Sequence, residues 1–163
     1  RAGHAQDATT GSAAATVLAV LAVPATQAFD VGTVYQGVAK TQDETSDALS
    51  GIFTITGAAS ANIACYFQLP EYIALATGVD RMPITFSSTD ATFSILDAAA
   101  PSTPSAPGAG ATLNTNPRNL TGTAIGVGGV SQIFLGGKVI PSVNQAAGAY
   151  SADIVLTVSY TGS

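Results

Sequence analysis

The stretch that most constrains this chain is Ala13-Ala14-Ala15-Thr16-Val17-Leu18-Ala19-Val20-Leu21-Ala22-Val23. Drawn out as a strand, it places Val17, Leu21 and Val23 on one side and Leu18 and Val20 on the other. A strand that is apolar on both sides belongs where both are covered, not at a wet edge. Yet it follows a polar lead, residues 1–12, in a region where chain ends are usually loose. Something must cover it, and a second copy of the same chain is the expected cover. A transmembrane helix would need about 20 apolar residues, roughly twice this run. A signal-peptide core fits the length, with Thr26-Gln27-Ala28 as its cleavage site, but the lead carries almost no positive charge. Ala and Leu would allow a helix, whereas Val17, Val20 and Val23 tip the balance towards strand.

Composition narrows the class further. The 163 residues are 47% hydrophobic but only 9% charged, against about 25% charged in ordinary soluble domains. Surface polarity must come from Thr, Ser, Asn, Gln and Gly, which suits a sheet protein and not long amphipathic helices. The length is that of one domain. With a net charge of −5 and basic residues only at Arg1, Lys40, Arg81, Arg118 and Lys138, the chain has no basic stripe, and nucleic acid is not an expected partner. Cys65 cannot form an intrachain disulfide. Its neighbours Ile63, Ala64, Tyr66 and Phe67 suggest a core thiol. Low charge and a first residue other than Met point to export.

Period-two alternation recurs along the chain. Strands are expected at Phe29–Tyr35, Gly51–Gly57 and Asn62–Leu69, the last with Ile63, Cys65, Phe67 and Leu69 on one face. Pro83–Ser87 and Ala91–Leu96 flank Ser88-Thr89-Asp90 and read as a hairpin. Ala98–Pro117, rich in Pro, Gly, Ala, Ser and Thr, reads as an exposed loop. Val130–Leu135 and Lys138–Ile140 read as one strand with a bulge at Gly136-Gly137. Tyr150–Tyr160 gives the cleanest alternation: Tyr150, Ala152, Ile154, Leu156, Val158 and Tyr160 face one way. About eight strands without a convincing helix predict an antiparallel β-sandwich.

No catalytic residues emerge. The only histidine, His4, lies in the polar lead, so no Ser/His/Asp set is plausible. Zinc-type ligand clusters are absent, and no cofactor motif is present. Asp43 and Glu44 fall in a polar segment with no apparent apolar wall to shift a pKa. A calcium loop there would need a spacing that the sequence lacks. Gly126-Val127-Gly128-Gly129 reads as a turn, Asp80-Arg81 as a surface pair, and Asn119-Leu120-Thr121 as a formal glycosylation acceptor. A non-enzymatic protein is expected, with no metal and no cofactor.

Taken in order, four segments resemble those of pilus subunits built by donor-strand exchange. They are Ala13–Val23, Phe29-Asp30-Val31-Gly32-Thr33-Val34, Ile52–Gly57, and Gly148-Ala149-Tyr150 with the alternating strand to Tyr160. The chain most resembles the spore coat protein U-like, archaic chaperone–usher group and a related bacterial envelope domain family. Relatives often carry a disulfide near the first strand, which one cysteine cannot supply here.

The resemblance implies an all-β, immunoglobulin-like antiparallel sandwich that lacks a strand and is completed by a neighbour's amino-terminal segment. On this chain the division is a lead at 1–12, a donor strand at 13–23 and a sandwich domain at 24–163. Val17, Leu18, Val20, Leu21 and Val23 are the donor side chains, and Ile154, Leu156, Val158 and Tyr160 belong to the acceptor sheet. The implied protein is a structural pilin forming a homopolymer at the cell surface, with an assembly chaperone and usher as partners and no membrane span. Two alternatives stand beside it: a self-complemented secreted adhesin or binding domain, and a coat or surface-layer protein.

Overall fold

Short runs of β-branched and aromatic residues, cut by Gly, Pro and Asx turns, set the strand limits here. The structure is a computed structural model that describes residues 14–45, 49–96, 112–120 and 123–162. In chain order the strands are β1 (Ala25–Gln27), β2 (Lys40–Gln42), β3 (Gly51–Thr56), β4 (Ile63–Gln68), β5 (Tyr72–Leu75) and β6 (Arg81–Thr85). They continue with β7 (Ala91–Leu96), β8 (Thr112–Thr115), β9 (Val130–Leu135), β10 (Gly137–Val139), β11 (Tyr150–Ser151) and β12 (Val155–Tyr160). No helix occurs among the described residues, and none there is long and apolar enough to cross a membrane.

One antiparallel sheet runs β1-β3-β9-β7-β8, and facing it are a second, β11-β5-β6-β10-β2, and the pair β12-β4. In the first sheet Phe53, Ile133 and Phe93 lie in register across three strands and turn inward, with Ile55 and Leu135, to fill the core. Phe53 meets Phe67 of β4 edge-on, ring centroids 5.1 Å apart, so the aromatic contact joins the two layers. The fold is therefore all-β, antiparallel and sandwich-like.

The strand Tyr150–Tyr160 keeps its direction but breaks at residues 152–154. Tyr150 and Ser151 pair with Leu75 and Ala74, and Val155–Tyr160 pair with Gln68–Ile63. Four residue steps separate Ser151 from Val155, while six separate their partners Ala74 and Gln68. The opposite side thus carries two extra residues around Pro70, which cannot donate to a ladder. Burial alternates along β4 and β12 as the pattern requires.

Several expectations need correction. Pro83–Ser87 and Ala91–Leu96 do not form a hairpin. β6 pairs with β5 and β10 while β7 pairs with β8 and β9, so residues 86–90 carry the chain from one layer to the other. Gly136 is likewise a crossing between layers and not a bulge within one strand. A Cβ at Gly136 would lie 2.5 Å from the Gln42 carbonyl oxygen and 2.6 Å from the Glu44 nitrogen, so only glycine fits. The two crossings are tied together by the Gly136 amide, which donates to the Asp90 carbonyl at 2.8 Å. Within the stretch expected as loop, Thr112–Thr115 joins the sheet edge as β8; residues 97–111 lie outside the described residues. Phe29–Tyr35 makes no ladder. The Gly32 amide donates to Asp30 Oδ1 at 2.7 Å, an Asx turn that breaks the run.

Candidate functional site

The leading segment divides in two. Residues 14–20 have no strand partner among the described residues and are exposed, Val17 at 93% and Val20 at 89%. Leu18 is less open, at 46%. From Leu21 onward the chain joins its own body: Leu21 and Val23 pack against the core, and Ala22 exchanges backbone hydrogen bonds with Thr56 at 3.0 and 2.9 Å. The expected strand over residues 13–23 is thus reduced to one bridge at Ala22, with Ala13 outside the described residues. Tyr160 marks the division. Its hydroxyl accepts from the Ala58 amide at 2.8 Å and donates to the Ala19 carbonyl at 2.7 Å.

Beyond β1 the chain runs along one lip of a groove, residues 28–36, and residues 145–154 form the other lip. Ile73, Met82, Ile84 and Val139 pave the floor. The volume is about 1020 Å³, at the upper limit of small-molecule clefts, and each lip is a long continuous stretch of chain. Such a shape suits a length of polypeptide better than a compact metabolite. Neither β11 nor β12 has a ladder partner on its outer side among the described residues. Backbone donors and acceptors therefore line one side of the opening, as at any bare sheet edge.

Of the four acceptor residues named from sequence, Ile154 lines this groove. Leu156, Val158 and Tyr160 are half-buried on the core side of β12. Of the five donor residues, Val17, Leu18 and Val20 belong to the projecting arm, and Leu21 and Val23 to the body.

A polar knot closes one end of the groove, built from residues that carry no motif in the sequence. Asp80 Oδ2 accepts from Gln145 Nε2 at 2.8 Å, the Ala146 amide at 2.8 Å and the Tyr150 hydroxyl at 2.9 Å. Oδ1 accepts from the Arg81 amide at 3.0 Å. The Tyr150 hydroxyl also lies 2.7 Å from the Ala146 carbonyl, so its single proton is shared between two acceptors. A Tyr at the head of a late strand bonded to backbone four residues upstream has the geometry of a tyrosine corner. Across the gap, Gln36 Nε2 donates to the Gln145 carbonyl at 2.6 Å, joining the two lips. Donors led by the Ala146 amide hold the Asp80 carboxyl below its ordinary value. Asp80 is thus a structural acceptor and not half of a surface pair with Arg81.

Two other titratable groups are shifted by burial. Glu44 is 5% exposed, contrary to the expectation of a wet carboxylate. Burial pushes its pKa up, while Thr92 Oγ1 donates to its Oε1 at 3.2 Å. Cys65 is half-buried and unpaired, and burial likewise raises its pKa, opposite to what a nucleophilic thiol needs. Among the described residues no cluster of His, Cys, Asp or Glu is placed to hold a metal. Gly126–Gly129 is the expected turn, closed by the Gly129 amide on the Gly126 carbonyl at 2.9 Å. Asn119 is exposed in a turn.

Fold and site together define a class: an all-β, sandwich-like protein with an apolar groove, a strand edge bare among the described residues, and an exposed apolar arm. No protein-family model matches the sequence, and comparison with curated proteins and with solved structures finds no match to either.

Proposed function

We infer that this protein is a structural subunit of an extracellular, cell-surface filament, a pilin whose arm completes the sandwich of the next copy. One observation carries the reading. Among the described residues the same chain exposes an apolar arm with no ladder partner, a groove with an apolar floor and an unpaired strand edge. A neighbour's arm laid in that groove gains backbone hydrogen bonds along the edge and pockets for alternate side chains. Burying Val17, Leu18 and Val20 at about 1.5–3 kcal/mol each contributes on the order of 5–9 kcal/mol before ordering costs. Arm and groove are different surfaces, so the contact is head-to-tail and propagates as a filament unless it closes into a ring. The resemblance to donor-strand pilins supports the same reading, as does the tyrosine corner. On it the incomplete sandwich is immunoglobulin-like, the partner is another copy, and an assembly chaperone and usher are further partners. It requires no catalysis.

Negative-stain microscopy of the purified full-length protein tests the inference. Thin fibres are expected, and Val17→Asp with Val20→Asp abolishes them by placing carboxylates in an apolar floor. Fibres of normal length from the double variant sink the reading.

A second reading has its own observation. Leu21, Ala22 and Val23 already pack and pair within their own chain, as in a self-complemented secreted adhesin or binding domain. That version runs as a 16.1 kDa monomer at all concentrations, which light scattering decides.

A further inference from the structure

The knot at the groove's end has more interactions than a surface turn requires. Gln145 is 4% exposed and bonded in several directions. Its Nε2 lies within hydrogen-bond distance of Asp80 Oδ2, the Arg81 carbonyl and the Tyr150 hydroxyl. Its Oε1 accepts from the Ser142 amide at 3.1 Å, and its carbonyl accepts from Gln36 of the opposite lip. The Gly37 amide adds a bond to the Ser142 carbonyl at 2.9 Å. One lip is thereby sewn to the other at a single place, and Asp80 is the charged acceptor at its centre. Charge-assisted bonds are shorter and roughly twice as strong as neutral ones, so the carboxylate decides whether the knot holds.

We propose that Asp80, acting through Gln145 and Tyr150, is the positioning residue of the groove: it sets the spacing of the two lips and forms the end-stop that fixes the register of an incoming strand. The occupant is the arm of a second copy, residues 14–20, so the proposal rests on the filament reading given above. A groove open at both ends would let an alternating strand slip by two residues without turning its faces over. A polar plug removes that freedom, because an apolar side chain driven into it would leave several buried polar groups unpartnered.

The test uses the full chain, kept monomeric by Val17→Asp with Val20→Asp, and a fluorescein-labelled synthetic peptide of residues 13–23. Binding is followed by anisotropy. With Asp80 intact the peptide binds. With Asp80→Asn added, the affinity falls roughly tenfold or more, while circular dichroism and cooperative urea unfolding show a folded chain. Tyr150→Phe, which leaves the carboxylate in place, gives a smaller loss and serves if Asp80→Asn does not fold. The acid profile is the readout that a merely structural residue would not move. The titratable side chain bonded to the Asp80 carboxylate is Tyr150, whose pKa is raised, so it stays neutral throughout the acid range. Capture should therefore hold through the ordinary carboxylate range and weaken only as pH falls through the depressed Asp80 value, and weaken less in Asp80→Asn. Equal affinity in folded Asp80→Asn, or identical acid profiles, overturns the assignment of Asp80 alone. No binding with Asp80 intact overturns the filament reading and takes this proposal with it.

Discussion

Gly57 shows how closely single residues are fitted where the arm leaves the body. A Cβ there would stand 2.6 Å from the Tyr160 hydroxyl, 2.7 Å from Ile125 Cδ1 and 2.9 Å from Leu21 Cδ2. Gly57→Ala is expected to destabilise the fold by about 1–3 kcal/mol through overpacking, read as a lower urea midpoint with an unchanged slope. Glu44 makes a different point. In sequence it lies beside Asp43 in the most highly charged stretch and looks solvated; in space it is buried beside Thr92 of β7. A carboxyl whose pKa is raised on folding favours the folded state when protonated, and that stability is lost as pH rises through the raised value. Glu44→Gln should therefore stabilise the protein above the raised Glu44 value and remove the fall in stability between the ordinary carboxylate value and that raised value, measured by thermal unfolding across pH. Wild-type and Glu44→Gln curves of the same shape on rising from the ordinary carboxylate value would contradict this assignment. The outer face of the first sheet is polar but closed: Thr54, Gln132, Thr92 and Ser94 are all buried, and Gln132 Nε2 donates to Thr54 Oγ1 at 3.1 Å.

Among the elements, the arm and the strand that follows it have different duties although the sequence runs through both without a break. Leu21→Ala should cost about 1–3 kcal/mol of monomer stability, less than a fully buried leucine because the residue is only half-buried. Val17→Asp should leave monomer stability within about 0.5 kcal/mol and act on assembly alone. Equal losses of stability from the two would show that the boundary at Ala19 is misplaced. The last strand was legible from residues 150–160 because every second side chain is apolar. Its break at 152–154 was not, because the cause is Pro70 on a partner strand some eighty positions earlier in the chain. The lip at 28–36 was half legible. Phe29 and Val31 do turn towards the core, but without a neighbouring strand to bond, an alternating run stays an extended lip.

At the scale of the whole molecule, the fold depends on two crossings between layers, residues 86–90 and Gly136, bonded to each other. Gly136→Val puts branched carbon against fixed backbone of residues 42–44 and should prevent folding at 37 °C, seen as loss of soluble expression and of the cooperative unfolding transition. A folded, stable Gly136→Val protein would mean that the crossing can re-route. The sequence by itself determined that the described residues form an all-β fold, which side chains of β4 and β12 point inward, and that the apolar run over residues 13–23 needs cover. Each of those follows from local alternation and from apolar area that a single strand cannot hide. Only the tertiary structure decided which strands pair, where the chain changes layer, that Leu21 and Val23 stay with their own body, and that Asp80, Gln145 and Tyr150 meet. Pairing and crossing are settled by contacts between residues far apart in the chain, and a lone Asp beside an Arg carries no local sign of the loop that will come to rest on it.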